Sequence, residues 1–366
     1  MVPEGWFSAK IGEIANIQVG RDLKEEAYSE VATNQHTIPV FSNTVENRGL
    51  YGYYNFEEYP GNSVTIVGRG IGLGTAFSRK SGFGAIGRLL IVSPRNGSFD
   101  VEYLENYINF RLRIFNESGG IPQLPGASLA KYSVTLPPLS EQKKIARILS
   151  TWDKAIETVK KLIENSKAQK KALMQQLLTG KRRLPGFDGE WGEIRLKQIC
   201  SIKKGGQLNR DTLDKSGKYP VVNGGIEPSG YTRNYNTEKE TITISEGGNS
   251  CGFVSFMEKE FWCGGHCYAL NSVKINNLYL YHFLKFIERN IMRLRVGSGL
   301  PNIQKKAVES IAISIPDSSE QQEVATILTT ADKEIETLQQ KLNCLKQEKK
   351  ALMQQLLTGK RRVKIN

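Results

Sequence analysis

Arg, Lys, Asn, Gln and Tyr side chains gather in two stretches of this chain where Gly, Asn and Pro predict loops. The first holds Arg21, Asn43, Arg48, Tyr51, Arg69 and Arg79; the second holds Lys204, Gln207, Arg210, Asn223, Tyr231, Arg233 and Asn249. Arg, Lys, Asn and Gln are the types that read base edges, and Lys and Arg also hold phosphates. Any one of these residues alone is ordinary surface. Together they point to nucleic-acid binding, because both sets follow the same landmarks: Trp6 and Gly20 before one, Trp191 and Gly205 before the other.

Catalytic chemistry finds no comparable set. The run Gly68-x-Gly70-x-Gly72-x-Gly74 resembles a cofactor loop, but no helix follows it and no βαβ unit surrounds it. A tight, mobile or DNA-facing hairpin is the better reading. There is no Walker A sequence and no Asn/Asp-Pro-Pro-Tyr/Phe run of the kind amino-methyltransferases use. Cys263, His266 and Cys267, with Cys251 nearby, fit no common zinc spacing, and the first stretch has no matching cysteines. His36 and His282 stand alone and read as structural. The chain is therefore expected to bind no metal and no cofactor and to carry no active site.

The formal net charge of +13 favours a polyanionic partner, nucleic acid ahead of a membrane surface. Segment 141–183 carries twelve basic and four acidic residues, and segment 320–362 eight and six, so most of the excess lies there. No stretch approaches a membrane span and no signal-peptide pattern is present. Five irregularly spaced cysteines give no disulfide framework, which fits a reducing cytoplasm.

The elements that must position the two sets are copies of each other. Residues 171–183, KALMQQLLTGKRR, recur unchanged at 350–362. The same offset of 179 aligns Pro137, Ser140, Glu141, Gln142, Leu149 and Asp153 with Pro316, Ser319, Glu320, Gln321, Leu328 and Asp332. A long internal repeat means two copies of one plan. In each copy a Ser N-cap (Ser140, Ser319) and a C-terminal glycine (Gly180, Gly359) bracket about 40 residues of helix. Apolar residues step by three and four: Leu149, Trp152, Ile156, Val159, Ile163, Leu173 and Leu177 in the first helix, and Leu328, Ile335, Leu338, Leu342, Leu345, Leu352 and Leu356 in the second. That spacing predicts a coiled-coil seam, and the globular insert between the helices favours antiparallel pairing. Lys170 and Lys349 fall on the seam, either to set register or where the helices diverge.

The rest is rich in short β-type runs: 63–67, 89–92, 133–136, 241–245, 268–270 and 311–315. One helix is expected in each half, near 101–115 and 278–294. The fold class predicted is α/β (α+β), two pseudo-repeated strand-rich α/β domains joined by two long helices. The boundaries are 1–139, 140–180 for the first helix, 181–318, and 319–360 for the second helix.

With these motifs in hand, the chain closely resembles the specificity (S) subunits of Type I restriction–modification systems. The resemblance rests on the Leu/Ile-Pro-x-x-Ser-Glu-Gln lead-ins at 136–142 and 315–321 and on the Ile-Leu-x-x-x-Asp helix starts. It also rests on the duplicated 171–183 ending and the openings Trp6…Ile11 and Trp191…Leu196, and it spans the whole chain. It implies two target recognition domains, each reading one half of a split double-stranded DNA sequence. It further implies an antiparallel coiled coil that spaces the half-sites and docks two methyltransferase subunits, with restriction/motor subunits beyond them. S-adenosylmethionine, ATP and Mg would belong to those partner subunits, which methylate adenine N6 and cut DNA. The strong divergence of the two halves implies an asymmetric target.

Overall fold

The computed structural model describes residues 2–116, 119–214, 216–297, 299 and 301–365, and of Arg210 the backbone alone. Four helices frame the account that follows: α1 (Val101–Arg111), α2 (Leu139–Leu177), α3 (Asn277–Phe286) and α4 (Ser318–Leu356). The chain forms two compact units, 1–159 with 341–366 and 160–340. Each unit therefore contains one strand-rich domain, the start of one long helix and the end of the other.

In the first unit, antiparallel strands Ala15–Val19, Leu90–Pro94, Ser63–Ile66 and Ala76–Arg79 lie side by side in that order. A second sheet orders Tyr28–Ser29, Leu50–Tyr54, Ile38–Phe41 and Gly84–Ala85, the last pairing being parallel. In the second unit, Ser201–Lys204, Cys267–Asn271, Thr241–Ser245 and Val254–Met257 repeat the first sheet. Gly230–Thr232, Tyr219–Val222 and Trp262–Cys263 form the smaller one, again with a parallel last pair. Gly20 and Gly205 end the first strand of each large sheet. A Cβ there would come within 2.9 Å of the Ala85 backbone or 2.3 Å of the Cys263 carbonyl, so both positions need glycine.

Each domain closes as the sequence predicts. Phe7–Lys10 pairs with Ser133–Leu136, and Gly192–Arg195 with Ala312–Ile315, before the chain enters its long helix. The expected strands appear within one or two residues. The helix expected near 278–294 is broken at Ile287 into α3 and a short Glu288–Arg293 turn of helix.

Both long helices correct the expected caps: α2 begins at Leu139, so Ser140 lies inside it, and α4 begins at Ser318. Asp317, not Ser319, accepts the backbone N–H groups of Ser319 and Glu320, at 2.9 and 3.0 Å. A carboxylate at this end also favours the helix dipole. At the far ends Gly180 and Gly359 adopt φ of +67° and +70°, the left-handed conformation that stops a helix.

Within each unit the helix start and the helix end run antiparallel. In the first, Glu141 meets Arg362 and Asp153 meets Lys349; in the second, Glu320 meets Arg183 and Asp332 meets Lys170. The two seam lysines are thus ion-paired in both units, with Lys349 Nζ 2.6 Å from Asp153 Oδ1. Leu149, Leu328 and Leu356 are fully buried, and Ile335, Leu338, Leu342 and Leu345 are half-buried between exposed neighbours. The core of the first unit gathers Trp6, Ile11, Leu104, Leu136 and Leu149 with Leu356 and Leu357; that of the second gathers Leu177, Leu196, Leu280, Ile313 and Leu328.

Candidate nucleic-acid interface

The repeated motifs converge on one junction per unit. Glu141 and Glu320 keep only 1% of their side-chain surface in water. Each receives a two-pronged hydrogen bond from the Arg that ends the thirteen-residue repeat: Arg362 Nε and Nη2 reach Glu141 at 2.8 and 2.7 Å, and Arg183 reaches Glu320 at the same distances. Fork-to-fork pairing of this kind is the strong form of an ion pair, and the carboxylate raises the guanidinium pKa in both. The Trp6 and Trp191 rings lie 5.9 and 5.6 Å from these guanidinium carbons. Trp191 also donates its indole N–H to Glu320 at 3.2 Å, whereas the buried Trp6 N–H has no partner among the described residues.

The following Gln fastens the domain to the helix. Gln142 donates to the Pro137 carbonyl and accepts from the Asp100 N–H; Gln321 does the same with Pro316 and Asn276. Asp100 and Asn276 are in turn the N-caps of α1 and α3. The Ser-Glu-Gln lead-in is thereby explained as two buried polar locks.

The candidate contact residues separate into three kinds. Some are committed to the fold. Arg79 is only 6% exposed, donates to Thr65 Oγ1 at 2.9 Å and the Arg48 carbonyl at 2.6 Å, and sits 3.4 Å over the Phe41 ring. Burial, reinforced by nearby Arg48, lowers its pKa to about 9. It is an internal strut and presents no charge to a partner. Asn43 likewise accepts from Gly68 N–H at 2.8 Å and donates to the Gly87 carbonyl. Arg48 is exposed but paired with Glu105 at 3.0 Å.

Others face solvent with a local partner. Arg233 pairs with Asp214 at 3.0 Å, and hydrogen bonds from Ser216 and then Arg233 hold that carboxyl down at about 2. Lys204 pairs with Glu246 at 2.6 Å. Tyr51 and Tyr231 are about half exposed, with Tyr51 against Tyr28. Arg21, Arg69, Gln207 and Asn249 present exposed side chains. The Arg210 side chain lies outside the described residues.

The second domain brings several candidates together. Lys204, Asn223, Glu246, Gly247, His266 and Asn302 line a cavity of about 510 Å³, and Gln207, Asn223 and His266 line a neighbouring one of about 750 Å³. His266 and Asn302 are additions the sequence reading did not select as contacts. His266 is held by its N–H bond to the Asn223 side-chain Oδ1 at 3.1 Å and by its carbonyl, which accepts from Glu246 N–H at 2.9 Å; Asn302 arrives through a backbone bridge to Gly247. The cysteines nearby are engaged otherwise. Cys251 Sγ lies 3.1 Å from the Glu246 carbonyl and Cys263 Sγ 3.5 Å from that of Cys267. Among the described residues no three His, Cys, Asp or Glu side chains converge as a metal site. No helix among them is long and apolar enough to cross a membrane.

The family model for the Type I restriction modification DNA specificity domain matches residues 3–165 and again 188–347, one match per half. The chain belongs to the type I DNA-specificity family. A sequence from Mycoplasma pneumoniae provisionally named a type I specificity subunit is 34% identical over 155 residues, 41% of each chain. The type I restriction enzyme MjaVIII specificity subunit of Methanocaldococcus jannaschii is 24% identical over 415 aligned positions, covering 99% of this chain and 94% of that one. A crystal structure of a Type-I restriction-modification system S subunit from M. genitalium superimposes with a TM-score of 0.77, 20% identity, and 97% and 96% coverage, and so shares the fold. Type I specificity subunits are the non-catalytic component of their systems, and this chain is one of them.

Proposed function

We propose that this specificity subunit reads a split, asymmetric double-stranded DNA sequence, one half-site per domain. The observation that carries the reading is the contrast inside the repeat. The two units share the Glu, Gln, Arg and Trp of their junctions, yet carry different side chains where each domain meets solvent. Shared junctions suit two equivalent partner sites; different surfaces suit two different half-sites. A 39-residue helix is about 58 Å long at 1.5 Å per residue, more than one turn of B-DNA, which supports a spacing role for α2 and α4.

In this reading two methyltransferase subunits dock on the helices and supply S-adenosylmethionine chemistry at adenine N6. Motor/nuclease subunits that use ATP and Mg join them. The chain itself contributes phosphate contacts from Arg21, Arg69 and Lys204, and base-edge contacts from Gln207, Asn223 and Asn249.

Single-molecule sequencing of host DNA, with and without the gene, tests this directly. N6-methyladenine is expected to vanish from one asymmetric split motif when the gene is absent. An unchanged pattern in cells that express the partner subunits sinks the proposal. Docking has its own test. Ile156→Asp with Ile335→Asp should abolish co-elution with the methyltransferase subunits on size exclusion, and an intact complex would refute it.

A further inference from the structure

The two domains carry one device in duplicate, and its tip is where they differ. In the first domain the strands Ser63–Ile66 and Ala76–Arg79 are joined by a glycine-rich loop, and in the second Thr241–Ser245 and Val254–Met257 are joined likewise; the last paired residues, Ile66 with Ala76 and Ile244 with Val254, enclose nine residues in each. The backbones are pinned alike. Gly74 N–H bonds to the Val67 carbonyl and Gly252 N–H to the Ser245 carbonyl, both at 2.8 Å. Gly70 N–H bonds to the Pro122 carbonyl at 2.8 Å, and Gly248 N–H to that of Pro301 at 3.0 Å. Leu124 N–H returns to the Gly68 carbonyl, and Ile303 N–H to that of Glu246, both at 2.8 Å.

Gly70 and Gly74 have φ of +87° and +84°, and Gly248 and Gly252 of +78° and +90°. Side chains are strained in that conformation, so the loop path is built into the sequence at matching positions. The matching tip position carries a different side chain in each domain. It is Ile71 in the first domain, 92% exposed, and Asn249 in the second, exposed and with its amide unpaired among the described residues. Packing does not explain an isoleucine held in water on a backbone pinned by these three hydrogen bonds.

We propose that each glycine hairpin is a base-reading finger whose tip residue sets one base of its half-site. Ile71 does so by apolar contact with a thymine 5-methyl group, and Asn249 by paired hydrogen bonds to the N6 and N7 edge of an adenine. The inference rests on the proposed DNA-reading role and adds which residue reads. The chemistry follows from side-chain type. An aliphatic group can single out a base in the major groove only through the thymine methyl, while a carboxamide matches the donor and acceptor of adenine. Arg69, exposed beside Ile71, is placed to hold a phosphate.

The test selects binders from a pool of randomised duplexes, using the full chain assembled with its modification subunits. The wild type should enrich a split target with thymine facing Ile71 and adenine facing Asn249. Ile71→Asn should change the preferred base at one position of one half-site only, and Asn249→Ile at one position of the other. Each should lower preference for the original base by about ten- to a hundredfold. A variant complex that enriches nothing is resolved by Ile71→Val, which keeps the aliphatic contact; a target retained with Val and lost with Asn supports the proposal, and loss with both overturns it.

Unchanged targets in every tip variant overturn the finger and leave the specificity reading standing. A wild type that enriches no sequence overturns that reading itself. If Ile71→Ala leaves base preference intact but reduces DNA bending by fluorescence energy transfer, Ile71 is a wedge between base steps, and its role as a reader is refuted.

Discussion

The two junctions are near copies, while the two grooves beside them are opposite in character. In the second unit the groove between α3 and the long helices is lined by Lys167, Lys170, Lys171, Lys285 and Arg289 against Glu288 and Asp332. In the first, the groove beside α1 is lined by Arg48 and Lys349 against Glu102, Glu105 and Asp153. Of these charges, only the Lys–Asp pair is common to both. The difference teaches where this chain is free to vary. A buried carboxylate without its partner is costly, so Glu141 and Glu320 fix their arginines. A solvated charge is worth little to folding, so the groove can change sign without cost to the scaffold.

The largest break in this comparison should come from the junction arginines. Arg362→Ala leaves Glu141 buried without its guanidinium, and Arg183→Ala does the same to Glu320. Each should lower Tm by on the order of 5–10 °C in differential scanning calorimetry. The loss should be greater for Arg362→Ala, because Glu320 keeps the Trp191 indole N–H. Equal losses would mean that this hydrogen bond contributes nothing.

A second difference sits under α3. His282 is 1% exposed, with Nε2 3.0 Å from Thr329 Oγ1 and Nδ1 3.9 Å from Asp332. The capped starts of α1 and α3 align it with Asn106 of the first domain. Burial, then the charge of Lys170, lowers its pKa from 6.5 to about 4, against the opposing pull of Asp332. The unfolded chain therefore takes up this proton near pH 6.5 and the folded one only near 4. Stability is full above 6.5 and falls as the pH drops between those values, by about 3 kcal/mol in all. Urea unfolding across pH 4–7 should show this loss in the second unit, and His282→Asn should flatten it. A slope that survives the substitution assigns the titration elsewhere.

The smallest effect separates the two arginines read alike from the sequence. Arg69→Ala should leave Tm unchanged and reduce the slope of log affinity for duplex DNA against log salt by about one. Arg79→Met should do the reverse, lowering Tm and keeping the slope. Matching behaviour of the two would erase the distinction drawn from burial.

Spacing alone showed the duplication, the two long helices with their glycine stops, and the strands that close each domain. All of these are local or periodic signals. The role of the Glu and Gln in the lead-in was hidden, because Glu141 meets Arg362 across 221 residues and Gln142 meets the Asp100 N–H across 42. Asp317 and Ser319 are both good caps for α4, and only the backbone path decides between them. Among candidate contacts, residue type could not separate Arg69 from Arg79. Ile71 escaped notice because an isoleucine reads as core until its exposure is known.

By itself the sequence determined that this protein is one plan used twice, that its helices pair, and that it belongs with DNA-specificity subunits. The first two follow from repetition and from a hydrophobic period that any folded form must respect; the third follows from the resemblance of its motifs to that family. Only the tertiary structure decided which charges are buried struts and which stand in water, and which residue each hairpin holds at its tip. Burial is set by contacts between residues far apart in the chain, and no local pattern records them.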